Sequence, residues 1–156
     1  MQAPQPLAQA HDCSEFDCGE SILNDWLKQR AFANQVTGAS RTFVLVGERN
    51  QVLGYYALAV GAVARAGATG AVRRNMPDPI PVMVLGRLAV DLSCQGKKLG
   101  TALLKDAVLR TIAVSENAGV RALLVHALNE PARQFYLQRG FSVSPINPLT
   151  LMLLLR

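Results

Sequence analysis

The stretch from residue 83 to residue 113 constrains the fold most, because a strand pattern passes directly into a helix pattern there. The run MVLGRLAV, residues 83–90, is apolar and typical of a buried strand. After the turn DLSCQGKKLG, the run TALLKDAVLRTIA repeats apolar residues at helical spacing. The residues on its predicted buried face are Leu103, Leu104, Ala107, Val108 and Ile112. A strand joined to an amphipathic helix by a short turn predicts helices packed on a sheet.

The rest of the chain carries further helix and strand patterns. Residues 14–35 have a helical pattern, with Ser21 or an earlier acid as the N-cap and Gly38 as the stop. RTFVLVG and QVLGYYALAVGAV, separated by Glu48–Asn50, predict a hairpin, and a loop follows over residues 65–81. The last predicted elements are a strand in RALLVHA, a helix in ARQFYLQRGF and a strand in LTLMLLL. This order predicts an α/β or α+β fold, as one layered domain over residues 1–156.

The net charge of +5 is unevenly distributed along the chain. Positions 1–25 hold five of the 11 acids and no lysine or arginine. Positions 26–156 therefore hold all 16 bases against 6 acids, a charge of +10. Such a surplus attracts polyanions, but charged surfaces also keep proteins soluble, so charge alone leaves both interpretations open.

The cysteines and the N-terminal residues predict a reducing compartment. Cys13, Cys18 and Cys94 are odd in number, and MQAPQPLAQAHD lacks the basic and apolar parts of a signal peptide. We therefore expect free thiols and a cytoplasmic protein. His11 with Cys13 and Cys18 lacks a second ligand pair for zinc, so no metal is expected. The apolar run LMLLL is five residues long, far short of the roughly 20 that span a membrane, so no membrane partner is expected.

The turn between the predicted strand and helix has features of an anion site. The first N–H groups of a helix have no partner within it, and the helix dipole adds positive potential there. Gly96 and Gly100 allow a close approach of the backbone to a ligand, and Lys97 and Lys98 add charge. The spacings of a P-loop and of a dinucleotide fingerprint are both absent. Taken alone, the turn suits either a pyrophosphate cradle or an ordinary connector.

Three motifs, LGRLAVD, QGKKLG and HALNEPARQFYLQRGF, together resemble the GNAT family of acyl-CoA-dependent N-acetyltransferases. The resemblance implies a mixed central sheet flanked by helices and acetyl-CoA as the co-substrate. It implies that the strand backbone binds the pantetheine arm and that the turn binds the pyrophosphate. The residues it assigns to acetyl-CoA are Leu88, Ala89, Val90, Gln95, Gly96, Lys97, Lys98, Leu99, Gly100, Thr101, Asn129 and Phe135.

Lys98 departs from the family pattern, because the middle glycine of the turn motif falls on this position. A side chain there would crowd the diphosphate or strain the loop, since only glycine adopts positive φ freely. Alternatively, the Lys98 ammonium pairs with a phosphate. Both interpretations remain open at this point.

Four further stretches narrow the resemblance to the GNAT toxins of type II toxin–antitoxin modules. They are FDCGESILNDWLKQRAFANQVTGASRTFVLV, GYYALA, MPDPIPVMVLGRLAVD and SPINPLTLMLLL. The resemblance implies acetylation of the α-amine of aminoacyl-tRNA, which blocks translation. It also implies a ribbon-helix-helix antitoxin as partner, and a homodimer. In such an enzyme the candidate contacts to tRNA phosphates are Arg65, Arg73, Arg74 and Arg87.

Tyr136 matches the general acid of the family, whose hydroxyl protonates the departing thiolate. An unperturbed α-amine has a pKa of about 7.7–8.0, so part of it is unprotonated at neutral pH and no strong base is required. Glu130 is a candidate base, but we expect it as a solvated carboxylate in the first turn of its helix, where acids are favoured. By periodicity Phe135 is expected in the core, which leaves Tyr136 facing the cleft.

Two other functions remain open from the sequence. One is a GNAT enzyme that acetylates a protein N-terminus, a polyamine or an antibiotic. A pocket for a cation such as a polyamine should be acidic, which does not suit the charge of +10 over positions 26–156. The other is a non-enzymatic CoA-binding protein, for which Lys98 at the glycine position is the reason.

Overall fold

A computed structural model describes residues 3–155 of the chain. It contains the predicted strand as β4, Ile80–Val90, and the predicted helix as α4, Leu99–Ser115. A 3-10 turn, Leu92–Cys94, lies between them. The predicted inner face of α4 is confirmed at three fully buried positions, and Val108 and Ile112 are at least half-buried. The three fully buried residues are Leu103, Leu104 and Ala107.

The other elements follow the predicted order, with short additions. The remaining strands are β1 (Gln5–Pro6), β2 (Arg41–Val46), β3 (Val52–Val63), β5 (Ala122–His126), β6 (Ser142–Val143) and β7 (Thr150–Leu154). The remaining helices are α1 (Ser21–Gln29), α2 (Ala31–Thr37), α3 (Gly70–Arg73) and α5 (Glu130–Leu137). The sequence did not predict β1, α3 or β6, because elements as short as these are too brief to show a period.

The helix predicted over residues 14–35 is wrong in its extent. Its start agrees with the expected N-cap, since the helix begins at Ser21 after Glu20, one of the earlier acids. It divides, however, at Arg30, whose φ of −123° and ψ of −32° are not helical. The periodicity continues across this break, so the sequence pattern alone did not show it. Gly38 ends α2 with a φ of 84°, which confirms the predicted stop.

The strands form one mixed sheet in the order β1-β2-β3-β4-β5-β7-β6. Antiparallel pairs join β1 to β2, β2 to β3, β5 to β7 and β6 to β7. In contrast, β4 and β5 pair in parallel. The predicted fold class, a mixed sheet flanked by helices, is confirmed, as is the β2–β3 hairpin.

One compact unit comprises the residues up to Ala59 together with Gly86–Val108. The Tyr55 ring lies at its centre, edge-on to Phe16 at 5.6 Å and stacked on Trp26 at 6.0 Å between ring centroids. The buried residues of this core are Leu7, Phe16, Cys18, Leu27, Ala31, Val44, Val52, Tyr55 and Ala89. Helices α1 and α2 are thus packed on β2, β3 and the end of β4.

A second compact unit comprises Val60–Leu85 and the residues from Leu109 onward. Its core includes Ala68 and Val72 from the segment expected to be an open loop. The other buried members are Ile80, Val82, Ala122, Leu124 and Met152. The segment before β4 therefore packs on the sheet of its own unit. The single domain expected over residues 1–156 stays a prediction.

None of the helices in the described part of the chain is long and apolar enough to cross a membrane. Among residues 3–155, no three histidine, cysteine, aspartate or glutamate side chains are grouped so as to hold a metal ion. The three cysteines are free thiols, and Cys18 and Cys94 are buried.

Candidate functional site

The turn before α4 is exposed and has two residues in the left-handed region. Gly96 and Lys98 have φ angles of 83° and 63°, and the 17-residue helix α4 begins at Leu99. Left-handed residues beside a helix start turn backbone N–H groups toward a common side, an arrangement that binds anions. Lys98 therefore has the conformation that the family pattern reserves for glycine. The exposed residues of the turn are Gln95, Gly96, Lys97 and Lys98.

Hydrogen bonds to the segment before α1 hold this turn in place. An oxygen of Asp91 accepts a hydrogen bond from the N–H of Asp17 at 2.9 Å. The side-chain amide of Gln95 donates to the carbonyls of Cys18 at 3.1 Å and Val90 at 2.9 Å. The Gln95 side chain, predicted to bind acetyl-CoA, thus shapes the turn through its Nε2.

Asp91 stabilises the start of the turn as a carboxylate. Its second oxygen accepts from the N–H of Ser93 at 3.0 Å and from the Ser93 hydroxyl at 2.6 Å. Burial alone would raise the pKa of Asp91, but the hydrogen bonds from the Ser93 hydroxyl and from the N–H groups of Asp17 and Ser93 outweigh it. The pKa is lowered, so the charged form holds the turn at neutral pH.

The last residues of β4 carry the predicted pantetheine contacts. Within the described chain, the pairing of β4 with β5 covers residues 83–85 of β4, whereas the strand continues to Val90. A strand edge beyond its pairing offers N–H and C=O groups to an extended ligand. Leu88 is half-buried and Ala89 is buried, so their backbones rather than their side chains are suited to that role.

Asn129, predicted to bind acetyl-CoA, caps the start of α5. The side-chain oxygen of Asn129 accepts from the N–H of Ala132 at 3.0 Å. Glu130 is exposed, and its carboxylate accepts from Gln134 at 2.7 Å and Arg133 at 3.1 Å. The Gln134 hydrogen bond lowers the pKa of Glu130 most, against an opposing effect of burial. The expected role of Glu130 as a solvated carboxylate at a helix start is confirmed.

Tyr136 is buried, with 5% of its surface exposed, whereas Phe135 is half-buried. The expectation that Phe135 is the core residue of this pair is therefore wrong. The reason is tertiary, because the Tyr136 ring packs edge-on against Phe135 at 5.1 Å and against Phe141 at 5.3 Å. Burial raises the pKa of Tyr136, so its hydroxyl keeps its proton well above neutral pH.

Arg139 is a neighbour of this aromatic group that sequence reasoning missed. Its guanidinium carbon lies 3.9 Å from the centroid of the Phe135 ring, and its Nη1 donates to the Phe135 carbonyl at 2.9 Å. Arg139 lies just beyond the end of α5, four positions after Phe135, and this i, i+4 spacing was the available signal. Arg139 thus fixes Phe135, which in turn contacts Tyr136.

The arginines predicted to bind tRNA before β4 occupy two environments. The Arg65 guanidinium donates to the carbonyls of Arg73 at 2.7 Å and Met76 at 2.5 Å, so it closes its own loop. Arg73 and Arg74 have exposed side chains. We therefore retain Arg73 and Arg74 as candidate phosphate contacts and assign Arg65 to the structure of the loop.

Arg121 is a second stabilising residue of this loop, and no sequence signal indicated it. Its guanidinium donates to the carbonyls of Val72 at 3.0 Å, Ala71 at 3.0 Å and Arg74 at 3.4 Å. Binding of backbone carbonyls by arginine stabilises an irregular segment. The loop that carries Arg73 and Arg74 is thereby held in one conformation.

Arg87 lies in the part of β4 that packs on α1. Its guanidinium carbon is 4.5 Å from the centroid of the Trp26 ring, and its Nε is buried without a hydrogen-bond partner among the described residues. Arg65, Arg73 and Arg74 belong to one compact unit and Arg87 to the other.

The mixed sheet and the hydrogen-bonded turn before α4 are the arrangement expected of an enzyme that binds an acyl-CoA thioester. A family model described as an acetyltransferase (GNAT) domain matches residues 39–143, more than half of the chain. The chain belongs to the GNAT acetyltransferases.

Individual relatives are similar over nearly the whole chain. The chain is 51% identical over 154 residues to a tRNA-acetylating toxin of Mycobacterium tuberculosis, covering 99% of this chain and 92% of the relative. A structure of AtaT complexed with acetyl-methionyl-tRNAfMet is similar at a TM-score of 0.90 and 31% identity, covering 97% and 94% of the two chains. A tyrosine-to-phenylalanine mutant of AtaT, bound to the C-terminus of the antitoxin AtaR and to acetyl-CoA, is similar at a TM-score of 0.84 and 32% identity, covering 98% and 92%.

Proposed function

We propose that this chain transfers the acetyl group of acetyl-CoA to the α-amino group of an aminoacyl-tRNA and so inhibits translation. The observation that carries the proposal is the 51% identity, over nearly the whole chain, to a protein that acetylates tRNA. The surplus of positive charge over positions 26–156 supports a polyanionic substrate. A pocket that accepts a polyamine should be acidic, and this charge distribution does not support such a pocket.

Acetyl-CoA fits the turn and the strand edge in their chemistry. Backbone N–H groups near the left-handed Gly96 and the start of α4 are suited to the pyrophosphate. The backbone of Leu88 and Ala89, beyond the β4–β5 pairing, is suited to the amides of the pantetheine arm. The Asp91 and Gln95 hydrogen bonds fix the turn before any ligand binds, which reduces the entropy lost on binding.

In this proposal Tyr136 supplies a proton to the leaving thiolate. The unprotonated α-amine attacks the thioester carbonyl, the new C–N bond forms, and the C–S bond breaks. The thiolate takes the Tyr136 proton, which leaves a phenolate. The nitrogen of the new amide, positively charged after the attack, releases a proton to solvent, and the phenolate takes up a proton from solvent to restore the hydroxyl. Because burial raises the pKa of Tyr136, the acid form is present throughout the neutral range.

No strong base is required for this reaction. The α-amine of an aminoacyl ester is partly unprotonated at neutral pH, since an unperturbed α-amine has a pKa of about 7.7–8.0. Glu130, the acid closest in sequence to Tyr136, is exposed and engaged with Gln134 and Arg133 of its own helix. We therefore assign Glu130 to stability rather than to catalysis.

A transfer assay with radiolabelled acetyl-CoA tests the substrate class. The acceptors are charged tRNA, the same tRNA uncharged, a peptide with a free N-terminus and spermidine. We expect label on charged tRNA alone, released with the amino acid after mild alkaline hydrolysis of the ester. Label on the peptide or on spermidine instead would assign the chain to another branch of the family, and no transfer with detectable acetyl-CoA binding would favour a non-enzymatic CoA-binding protein.

We further infer that an antitoxin silences this activity and that the antitoxin is of the ribbon-helix-helix type. The AtaT complex with the C-terminus of AtaR supports the first part of this inference. A homodimer is proposed with it. Expression of the chain alone should arrest growth, and co-expression of a ribbon-helix-helix antitoxin that binds it should restore growth. Light scattering of the purified protein gives the subunit number.

A further inference from the structure

Arg87 has a charged side chain without an acceptor. Its Nε is buried, and within residues 3–155 the guanidinium has neither a hydrogen-bond acceptor nor an ion-pair partner. The residue as a whole is half-buried. A buried N–H without an acceptor is unfavourable, and the buried donors of an arginine in folded proteins are usually paired with a carboxylate or a phosphate.

The aromatic residues of α1 and β3 hold this guanidinium in place. The Arg87 guanidinium carbon lies 4.5 Å from the centroid of the Trp26 ring, and that ring stacks on Tyr55 with an interplanar angle of 10°. The Tyr55 hydroxyl donates to the carbonyl of Leu23 at 2.7 Å, which ties the stack to α1. A cation–π contact fixes the guanidinium but supplies no oxygen to accept from its N–H groups.

We propose that Arg87, held by Trp26, is the anchor for a phosphate oxygen of the 3′-terminal nucleotides of the tRNA substrate. The planar fork of a guanidinium matches the geometry of phosphate in a bidentate contact. Arg87 directly precedes Leu88 and Ala89, which are proposed to bind the arm that carries the acetyl group. Among the phosphates of a long tRNA, those next to the acylated ribose are the ones brought to this strand. The proposal rests on the proposed function.

Acceptors of decreasing size test this assignment. They are the aminoacyl-tRNA, a CCA trinucleotide and a phosphate-free adenosine, the last two aminoacylated through a 3′-amide that resists hydrolysis. Arg87→Gln should raise KM by roughly 10- to 100-fold for the tRNA and the trinucleotide, the range expected for loss of charged hydrogen bonds. With the phosphate-free adenosine, wild type and Arg87→Gln should have the same kcat/KM. The KM for acetyl-CoA should not change.

Two variants separate phosphate binding from a packing role. Arg87→Lys keeps the charge without the fork and should recover part of the affinity for the trinucleotide. Trp26→Phe keeps Arg87 but reduces its aromatic support, and should raise the same KM several-fold without affecting the phosphate-free adenosine. Thermal unfolding of each variant shows whether it is folded at the assay temperature.

The contrary outcomes are distinct. An equal loss on all three acceptors would place Arg87 in the general stability of the site, and a raised KM for acetyl-CoA alone would assign the guanidinium to a phosphate of CoA. If Arg87→Gln has unchanged kinetics and lower thermal stability, the role of Arg87 is to pack on the Trp26 ring. Each of these results overturns the proposal while the proposed function stands. A wild-type enzyme inactive on charged tRNA overturns the proposed function itself.

Discussion

The hydroxyl of Tyr136 differs from the hydroxyls of the two other tyrosines, which are also buried. Tyr55 donates to the Leu23 carbonyl at 2.7 Å and Tyr56 to the carboxylate of Asp106 at 2.5 Å. Among residues 3–155, none hydrogen-bonds to the Tyr136 hydroxyl. A hydroxyl on a buried ring adds nothing to stability when no protein group bonds to it. Its presence calls for a functional reason, and proton donation supplies one.

Replacement of Tyr136 by phenylalanine should separate activity from stability. The change removes the proton donor and keeps the ring that packs on Phe135 and Phe141. General acid catalysis typically contributes about 10²- to 10⁴-fold, so we expect kcat to fall by that factor. The melting temperature should stay the same or rise, because the protein loses no internal hydrogen bond. Acetyl-CoA affinity, measured by calorimetry, should be nearly unchanged.

Tyr56→Phe is the matched control for this variant. It deletes the same atom from a tyrosine whose hydroxyl bonds to a carboxylate, so it should lower the unfolding free energy by about 1.5–3 kcal/mol. Its activity per folded molecule should be close to wild type. A Tyr136→Phe enzyme with a near wild-type rate, or one that loses several degrees of stability, would assign Tyr136 a structural role instead.

The pH dependence of the reaction follows from the raised pKa of Tyr136. A raised pKa keeps the phenol protonated, and therefore competent as an acid, from below neutral pH to above its ordinary value of about 10. The kcat/KM for aminoacyl-tRNA should thus rise with pH as the substrate α-amine loses its proton, and level off above about pH 8. Tyr136→Phe should show the same rising limb at a lower rate. A falling limb below about pH 9 in the wild type, absent from the variant, would contradict this assignment.

At the scale of elements, the turn into α4 carries strain at Lys98. A non-glycine residue in the left-handed region costs on the order of 1 kcal/mol, and Lys98 has a φ of 63°. Lys98→Gly should therefore raise the free energy of unfolding by about that amount, measured by urea titration. Lys97 is an exposed neighbour that does not have a positive φ, so Lys97→Gly is the control. This variant should not raise the free energy of unfolding.

The same pair of variants decides what the Lys98 side chain does toward acetyl-CoA. Tighter binding by Lys98→Gly would show that the side chain crowds the diphosphate. Weaker binding, with a salt dependence reduced relative to wild type, would show that the ammonium pairs with a phosphate. A loss of stability in Lys98→Gly would contradict the strain argument itself.

The long elements could be predicted from the sequence because their periods extend over many residues. β4, α4 and the β2–β3 hairpin follow directly from apolar spacing and turn residues. The break at Arg30 could not be predicted, since the apolar period continues across it, and the two-residue strands β1 and β6 are too short to show a period. Strands as short as β1 and β6 exist because a neighbouring strand pairs with them.

The parts of the candidate site that lie in short continuous sequence motifs could be predicted. The spacing of the turn motif located Lys98 at a glycine position, and its left-handed backbone agrees with that inference. The burial order of Phe135 and Tyr136 was not predictable, because the Phe141 ring, which packs on Tyr136, lies beyond the end of α5. The role of Arg65 within its own loop was not predictable either, because its Nη1 donates to carbonyls of residues 8 and 11 positions further along the chain.

For the molecule as a whole, the surplus of +10 over positions 26–156 sets the long-range attraction to tRNA. Within it, Arg73 and Arg74 are exposed on a loop that Arg65 and Arg121 hold in place. Changing Arg73 and Arg74 to alanine should raise the KM for tRNA. It should also reduce the slope of log KM against log salt by about two, one for each phosphate that the variant no longer neutralises.

An equal change of charge elsewhere is the control for the loop arginines. Arg49 and Lys105 are exposed, and replacing both with alanine also removes two positive charges. This variant should change the rate of association slightly and leave the salt slope within error of wild type. Identical slopes for the two double variants would mean that Arg73 and Arg74 contribute through net charge alone.

The hydrogen bond from Gln95 to the Cys18 carbonyl places a cysteine beside the turn, where acetyl-CoA could acylate its thiol. Acetyl-CoA is itself an acyl donor to thiols, and a thiolate beside it would remove the acetyl group by thioester exchange. Cys94 lies in the turn and Cys18 holds it, yet both are buried, and burial raises the pKa of the Cys18 thiol. Burial therefore disfavours acylation of both thiols by acetyl-CoA, at residues that shape the candidate pyrophosphate site. Prolonged incubation with acetyl-CoA should leave both cysteines unmodified by mass spectrometry, and acetyl-Cys18 formed at the rate of a free thiol would show that the turn opens.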